Sequence, residues 1–207
     1  MAGRSPDTLA ALEAEIVENG WINADHVLRL RRAIYQDGAI DLEEAASLFR
    51  LNRRLQVGDP SWAEFYVEAL TDFFLWRNGG DSVLTDDAER ILFEWLGPRP
   101  AVENPTELRL LLSLIFRAHN CSERFRSFVL KAVEHSVLCS DHALFGGSSR
   151  RAGAIDKADV EVIRRLIYGS GSRRGPAISR ADAEFLFELN RATVGADNDP
   201  AWRDLFV

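Results

Sequence analysis

Residues 22–35 read INADHVLRLRRAIY, and residues 155–168 read IDKADVEVIRRLIY. Aligned without a gap, they pair Ile22 with Ile155, Val27 with Val160, Arg31-Arg32 with Arg164-Arg165 and Ile34-Tyr35 with Ile167-Tyr168. Val27, Leu30 and Ile34 recur at three- and four-residue intervals, the spacing of one helix face. The likeness continues downstream. Ile40…Ala45…Leu48-Phe49…Leu51-Asn52-Arg53 returns as Ile178…Ala183…Leu186-Phe187…Leu189-Asn190-Arg191. A third block, Asp59-Pro60-Ser61-Trp62…Val67, returns as Asp199-Pro200-Ala201-Trp202…Val207. Three blocks in one order point to an internal repeat.

A weaker copy lies between them. Leu84-Thr85-Asp86-Asp87…Leu96 resembles the first block and Pro105 to Ala118 the second. Ser122 to Leu138 fits the third, with Phe125 and Phe128 in the places of Trp62 and Phe65. Each block reads as a helix. Asp59-Pro60 and Asp199-Pro200 put a capping acid before proline at the first helical position, where its missing N–H costs nothing. Asp41 with Glu44 makes a capping-box variant, and Thr85, Asp156 and Ser179 hold the matching cap position. The predicted fold is all-α: three tandem three-helix units, approximately 20–78, 82–140 and 153–207, after an N-terminal helix near Asp7–Val17. Each unit is too small to bury its own apolar stripe, so residues 1–207 are expected to form one helical domain. The first copy of the third block runs on to Trp76, whereas the last stops at Val207. The last unit therefore reads as incomplete, either truncated or finished by a partner helix or second subunit.

The 207 residues are 46% hydrophobic, enough for a packed core and against disorder. No run of about 18 uncharged apolar residues occurs, so no membrane span is encoded. Met1 to Asp7 lacks the apolar stretch of a secretory signal, and two cysteines, Cys121 and Cys139, do not make a disulfide framework. A cytoplasmic location is expected. The net charge of -7 is uneven: residues 1–100 carry 18 acids against 10 cations, and residues 101–207 carry 14 against 15. The arginine pairs are mostly interrupted by acids, so nucleic acid is not an expected partner.

Two sets of residues carry metal-ligand chemistry. With Ile40 as position eight of an EF-hand-like loop, Asp37, Asp41 and Glu44 fall on positions five, nine and twelve. Positions one and three are then Ala33 and Tyr35, so only three side-chain oxygens remain for calcium. The competing reading is a tight helix–turn–helix in which Gly38 ends one helix and Asp41 caps the next. It outweighs calcium. His135, Cys139 and His142, at i, i+4 and i+7, form the other set and suit zinc, although Cys139 also continues an apolar stripe. Cys121 and Cys139 lie too far apart along one helix to share an ion.

The motif Asp37-Gly38-x-Ile40-Asp41-x-x-Glu44, followed by Ala45…Leu48-Phe49, resembles the signature of TerB-like domains over residues 20–76, with an echo at 154–207. These are all-helical domains associated with tellurite resistance and stress responses, some of them linked to metal. The resemblance implies a helical unit and, at Asp37, Asp41 and Glu44, an inherited metal role. In the last copy Ser179 replaces Asp41 and Asp182 replaces Glu44. No HExxH, GxSxG or P-loop pattern is present. The expected function is therefore non-enzymatic: a helical repeat protein that binds a protein partner or a second copy of itself, with no cofactor required. A calcium- or zinc-responsive TerB-like module is the alternative.

Overall fold

The computed structural model describes residues 9–36, 38–76, 82–97, 104–139, 152–169 and 178–206. Among them the secondary structure is helical throughout, apart from one pair of two-residue strands and a single isolated bridge. The chain divides into two compact units, Met1–Asp81 and Ser82–Val207.

The first unit contains α1 (Leu9–Asn19), α2 (Ala24–Ile34), α3 (Leu42–Arg54) and α4 (Pro60–Trp76). The leading helix ends two residues beyond its expected end. Its Leu12 and Ile16 are fully buried, where α1 packs on α2 and α3. Side-chain caps mark the other starts. Asn23 Oδ1 accepts the His26 N–H at 2.9 Å, and His26 Nδ1 accepts the Asn23 N–H at 3.4 Å, so histidine fills the glutamate role of a capping box. Gly38, at φ +87°, supplies the left-handed turn before α3 that a side chain would strain. Strand β1 (Trp21–Ile22) pairs in parallel with β2 (Val57–Gly58). This staple brings the start of α2 beside the start of α4, and Asp59 N–H donates to the Ile22 carbonyl at 3.1 Å.

The second unit contains α5 (Asp86–Leu96), α6 (Pro105–Arg117), α7 (Glu123–Cys139), α8 (Lys157–Tyr168) and α9 (Arg180–Ala192), and closes on a 3-10 segment (Pro200–Phe206). Thr85, Asp156 and Ser179 cap α5, α8 and α9 as expected. The last block is where expectation and structure part: Pro200–Phe206 forms a 3-10 segment, not an α-helix.

The same contacts recur at aligned positions of the first and last blocks. Trp62 Nε1 donates to Asn52 Oδ1 at 3.0 Å, and Trp202 Nε1 to Asn190 Oδ1 at 3.1 Å. Asp199 N–H donates to the Ile155 carbonyl at 2.8 Å, as Asp59 does to Ile22. In the middle block Leu84 N–H donates to the Asn120 carbonyl, and fully buried Phe125 stands where tryptophan stood.

The second unit is tied internally by a largely buried ion pair between Arg126, 20% exposed, and Asp182, 5% exposed. Arg126 on α7 reaches Asp182 on α9 through Nε at 3.1 Å and Nη2 at 2.6 Å, and Nη2 also donates to the Leu166 carbonyl on α8 at 2.8 Å. One guanidinium thus joins three helices.

Candidate functional site

Of the residues that suggested calcium, Asp41 and Glu44 are engaged in folding the backbone. Asp41 Oδ1 accepts the Glu44 N–H and Glu44 Oε2 accepts the Asp41 N–H, both at 2.9 Å. This reciprocal box is what starts α3. Asp37 lies outside the described residues, as does His142. His135 and Cys139 sit one turn apart near the end of α7, with Cys139 exposed. Among the described residues no group of three or more His, Cys, Asp or Glu side chains is placed to hold a metal ion. Cys121 is half-buried, and burial, with Glu89 adding to it, pushes its thiol above the ordinary range. That favours the inert thiol over the nucleophilic thiolate.

A recess of about 470 Å³ is lined by Asp156, Lys157, Asp197, Asn198 and Asp199, and three of these polar side chains hold the backbone. Asp156 accepts the Asp159 N–H, Asp199 accepts the Ala201 N–H, and Asn198 Oδ1 accepts the Ile155 N–H.

A different place has the character of a binding site. Helices α5 and α7 of the second unit enclose a cleft of about 620 Å³ lined by Phe93, Phe128, Arg90, Arg124, Ser127 and Lys131, among others. Its floor is aromatic. The Phe93 and Phe128 rings meet edge to face, centroids 5.1 Å apart, and Phe93 also meets Phe125 of the core at 6.5 Å. The Arg124 guanidinium lies over the Phe93 ring, 4.4 Å from its centroid.

The three cations of the cleft differ in what they already hold. Arg90 donates to Glu94 at 3.0 Å and Asp87 at 3.4 Å. Lys131 donates to Glu134 at 2.9 Å and to Glu188 on α9 at 2.6 Å. Carboxylate partners raise the pKa of both, Glu94 foremost for Arg90 and Glu188 foremost for Lys131. Arg124 has the Phe93 ring alone: among the described residues it makes no ion pair and no hydrogen bond. The Ser127 hydroxyl, one turn along α7, is likewise unbonded among them.

The second unit also exposes aromatic surface. Phe187 on α9 is 67% exposed and Phe206 41%, and their centroids lie 6.1 Å apart. The aligned residues of the first unit, Phe49 and Tyr66, lie 6.2 Å apart but are 4% and 0% exposed. No helix among the described residues is long and apolar enough to cross a membrane. No protein-family model, curated protein or solved structure matches the chain.

Proposed function

We propose that this chain is a helical binding module, built of related three-helix units, whose partner is another protein and whose contact surface includes Phe187 and Phe206. One observation carries the reading. An aromatic pair of the same spacing is packed away in the first unit and open to solvent in the second. Exposed aromatic rings in contact favour association, since each Å² of apolar surface removed from water contributes about 25 cal/mol. Aromatic residues also dominate the energetics of protein interfaces. In the first unit the counterpart rings belong to α3 and α4, which pack on one another. On this reading an amphipathic helix of the partner covers Phe187 and Phe206. The aligned Trp–Asn contacts support the related-unit organisation, and the TerB-like motif agrees with a helical first unit. The capping box gives Asp41 and Glu44 a task that involves no cation.

The test is site-specific photo-crosslinking in the cells that make the protein, with the photoreactive residue at position 187 and, as a buried control, at position 49. The expected result is one discrete adduct from position 187, absent from position 49. Mass spectrometry then identifies it as a second copy or one other protein. Binding of that purified protein should fall at least tenfold in Phe187→Ser. Uncrosslinked chain alone at position 187 would refute the proposal.

A further inference from the structure

Resting on the reading that the partner is a protein, we propose that the α5–α7 cleft receives one carboxylate-bearing, apolar-flanked segment of that partner, with the carboxylate on Arg124 and its apolar neighbour on Phe93 and Phe128. The charge arrangement limits the ligand to a single carboxylate. Arg90 faces Asp87 and Glu94, and Lys131 faces Glu134 and Glu188, so four carboxylates already surround those two cations. A nucleic acid or other polyanion would meet that acidic surround. One carboxylate can reach Arg124, the one lining cation of the cleft that has no acidic partner among the described residues.

The Arg124 guanidinium is preorganised. One face is held against Phe93, which leaves its N–H edge for a planar acceptor, the geometry in which arginine binds carboxylate through two parallel hydrogen bonds. Ser127 adds a free hydroxyl on the next turn of the same helix. The aromatic floor accounts for the apolar half of the ligand. Phe93 and Phe128 are half-buried in the free chain, so a side chain laid across them removes further apolar surface from water. A volume of about 620 Å³ accommodates a pair of adjacent side chains rather than a whole helix.

The test is a two-dimensional ¹H–¹⁵N NMR titration of the full chain with N-acetyl-Phe-Glu-amide. The expected result is saturating shifts at Phe93, Glu94 and residues 124–131. N-acetyl-Phe-Gln-amide, Arg124→Gln and Ser127→Asp should each weaken binding at least tenfold, with Arg124→Lys between. Arg124 and Ser127 are exposed, so these variants should melt with the parent chain. Equal binding of the Phe-Gln peptide, or unchanged binding by Arg124→Gln, would overturn the proposal. Benzoate binding as tightly as the dipeptide would reassign the cleft to a small anion, and tighter binding of phenyl phosphate would refute the single-carboxylate argument. Dipeptide binding in the absence of any adduct at position 187 would retain the cleft and discard the aromatic contact. An adduct without dipeptide binding would do the reverse.

Discussion

Replacing Asp182 by asparagine is expected to be among the most damaging single-atom changes in the second unit. The Asp182 side chain is 5% exposed and makes four hydrogen bonds. Oδ1 accepts from Arg126 Nε and Nη2, and Oδ2 accepts from the Ser179 N–H and hydroxyl. An amide has one acceptor atom for these two places. With its oxygen toward Arg126, the amide nitrogen confronts the Ser179 N–H and the guanidinium loses its counter-charge. Turned the other way, it aims N–H at N–H on Arg126. Removing one member of a buried ion pair costs about 3–5 kcal/mol. The lower end is expected here, about 3 kcal/mol, because Arg126 is 20% exposed and keeps the Leu166 carbonyl.

Urea denaturation, combined with hydrogen exchange at the amides of α8 and α9, measures the loss. Arg126→Met should cost a similar amount by stranding the carboxylate. The double variant Arg126→Met/Asp182→Leu should recover to within about 1 kcal/mol of the parent, because apolar groups filling the same space replace a pair whose attraction roughly offsets its desolvation. Single losses below about 1 kcal/mol, or a double loss equal to the sum of the singles, would refute the claim that this pair holds α7, α8 and α9 together.

Trp62→Phe removes the donor to buried Asn52 and should cost about 1–3 kcal/mol in urea denaturation. Trp202→Phe should cost less, because Asn190 is half-buried and water can replace the indole. Burial, reinforced by the Asp72 and Glu68 carboxylates, pushes the Tyr35 phenol up to about 12. The folded state thus prefers the neutral phenol, and that stabilisation is complete below pH 10 and lost as pH rises from about 10 to 12. Stability of wild type relative to Tyr35→Phe should be flat below pH 10 and decline above it, and a flat difference throughout would count against a phenol held neutral by its half-buried, acidic surroundings. Asp41→Ala should destabilise by about 1 kcal/mol through loss of the α3 cap. Thermal melts should show the same loss in millimolar calcium and in EDTA, whereas a loss seen only with calcium would restore the metal reading.

The features legible in the sequence are those whose partners lie within a few residues. Caps are of this kind. Asp41 and Glu44, Asp156 and Asp159, and Ser179 and Asp182 each stand three apart, and each forms its box wherever a helix starts. The apolar stripes of α2, α3 and α8 follow the helical period for the same reason. The cleft had no such signal. Arg124 and Phe93 sit 31 positions apart on different helices, and neither belongs to a spaced motif. Arg126 and Asp182 are 56 apart, and no local rule singles out that arginine from its neighbour Arg124. The candidate metal ligands attracted notice because carboxylates three apart look alike whether they cap a helix or hold a cation. Only the direction of the backbone N–H groups separates the two.

Phe49 and Phe187 mark the boundary of what periodicity can say. They occupy aligned positions on α3 and α9, each in ring contact with its counterpart, Tyr66 or Phe206. A hydrophobic period identifies the face of a helix that prefers to leave water, but not what covers it. In the first unit the covering comes from within the unit, and Phe49 is 4% exposed. In the second the ring is 67% exposed, so the preference written into the sequence is unmet among the described residues. Nearby, Lys131 holds Glu188, the residue next to Phe187, and also lines the α5–α7 cleft. One helix, α7, therefore carries the arginine of the cleft and, through Lys131, a tie to the helix that bears the exposed ring. A partner satisfying both would have to present a carboxylate and an apolar helix face together, a more selective demand than either makes alone.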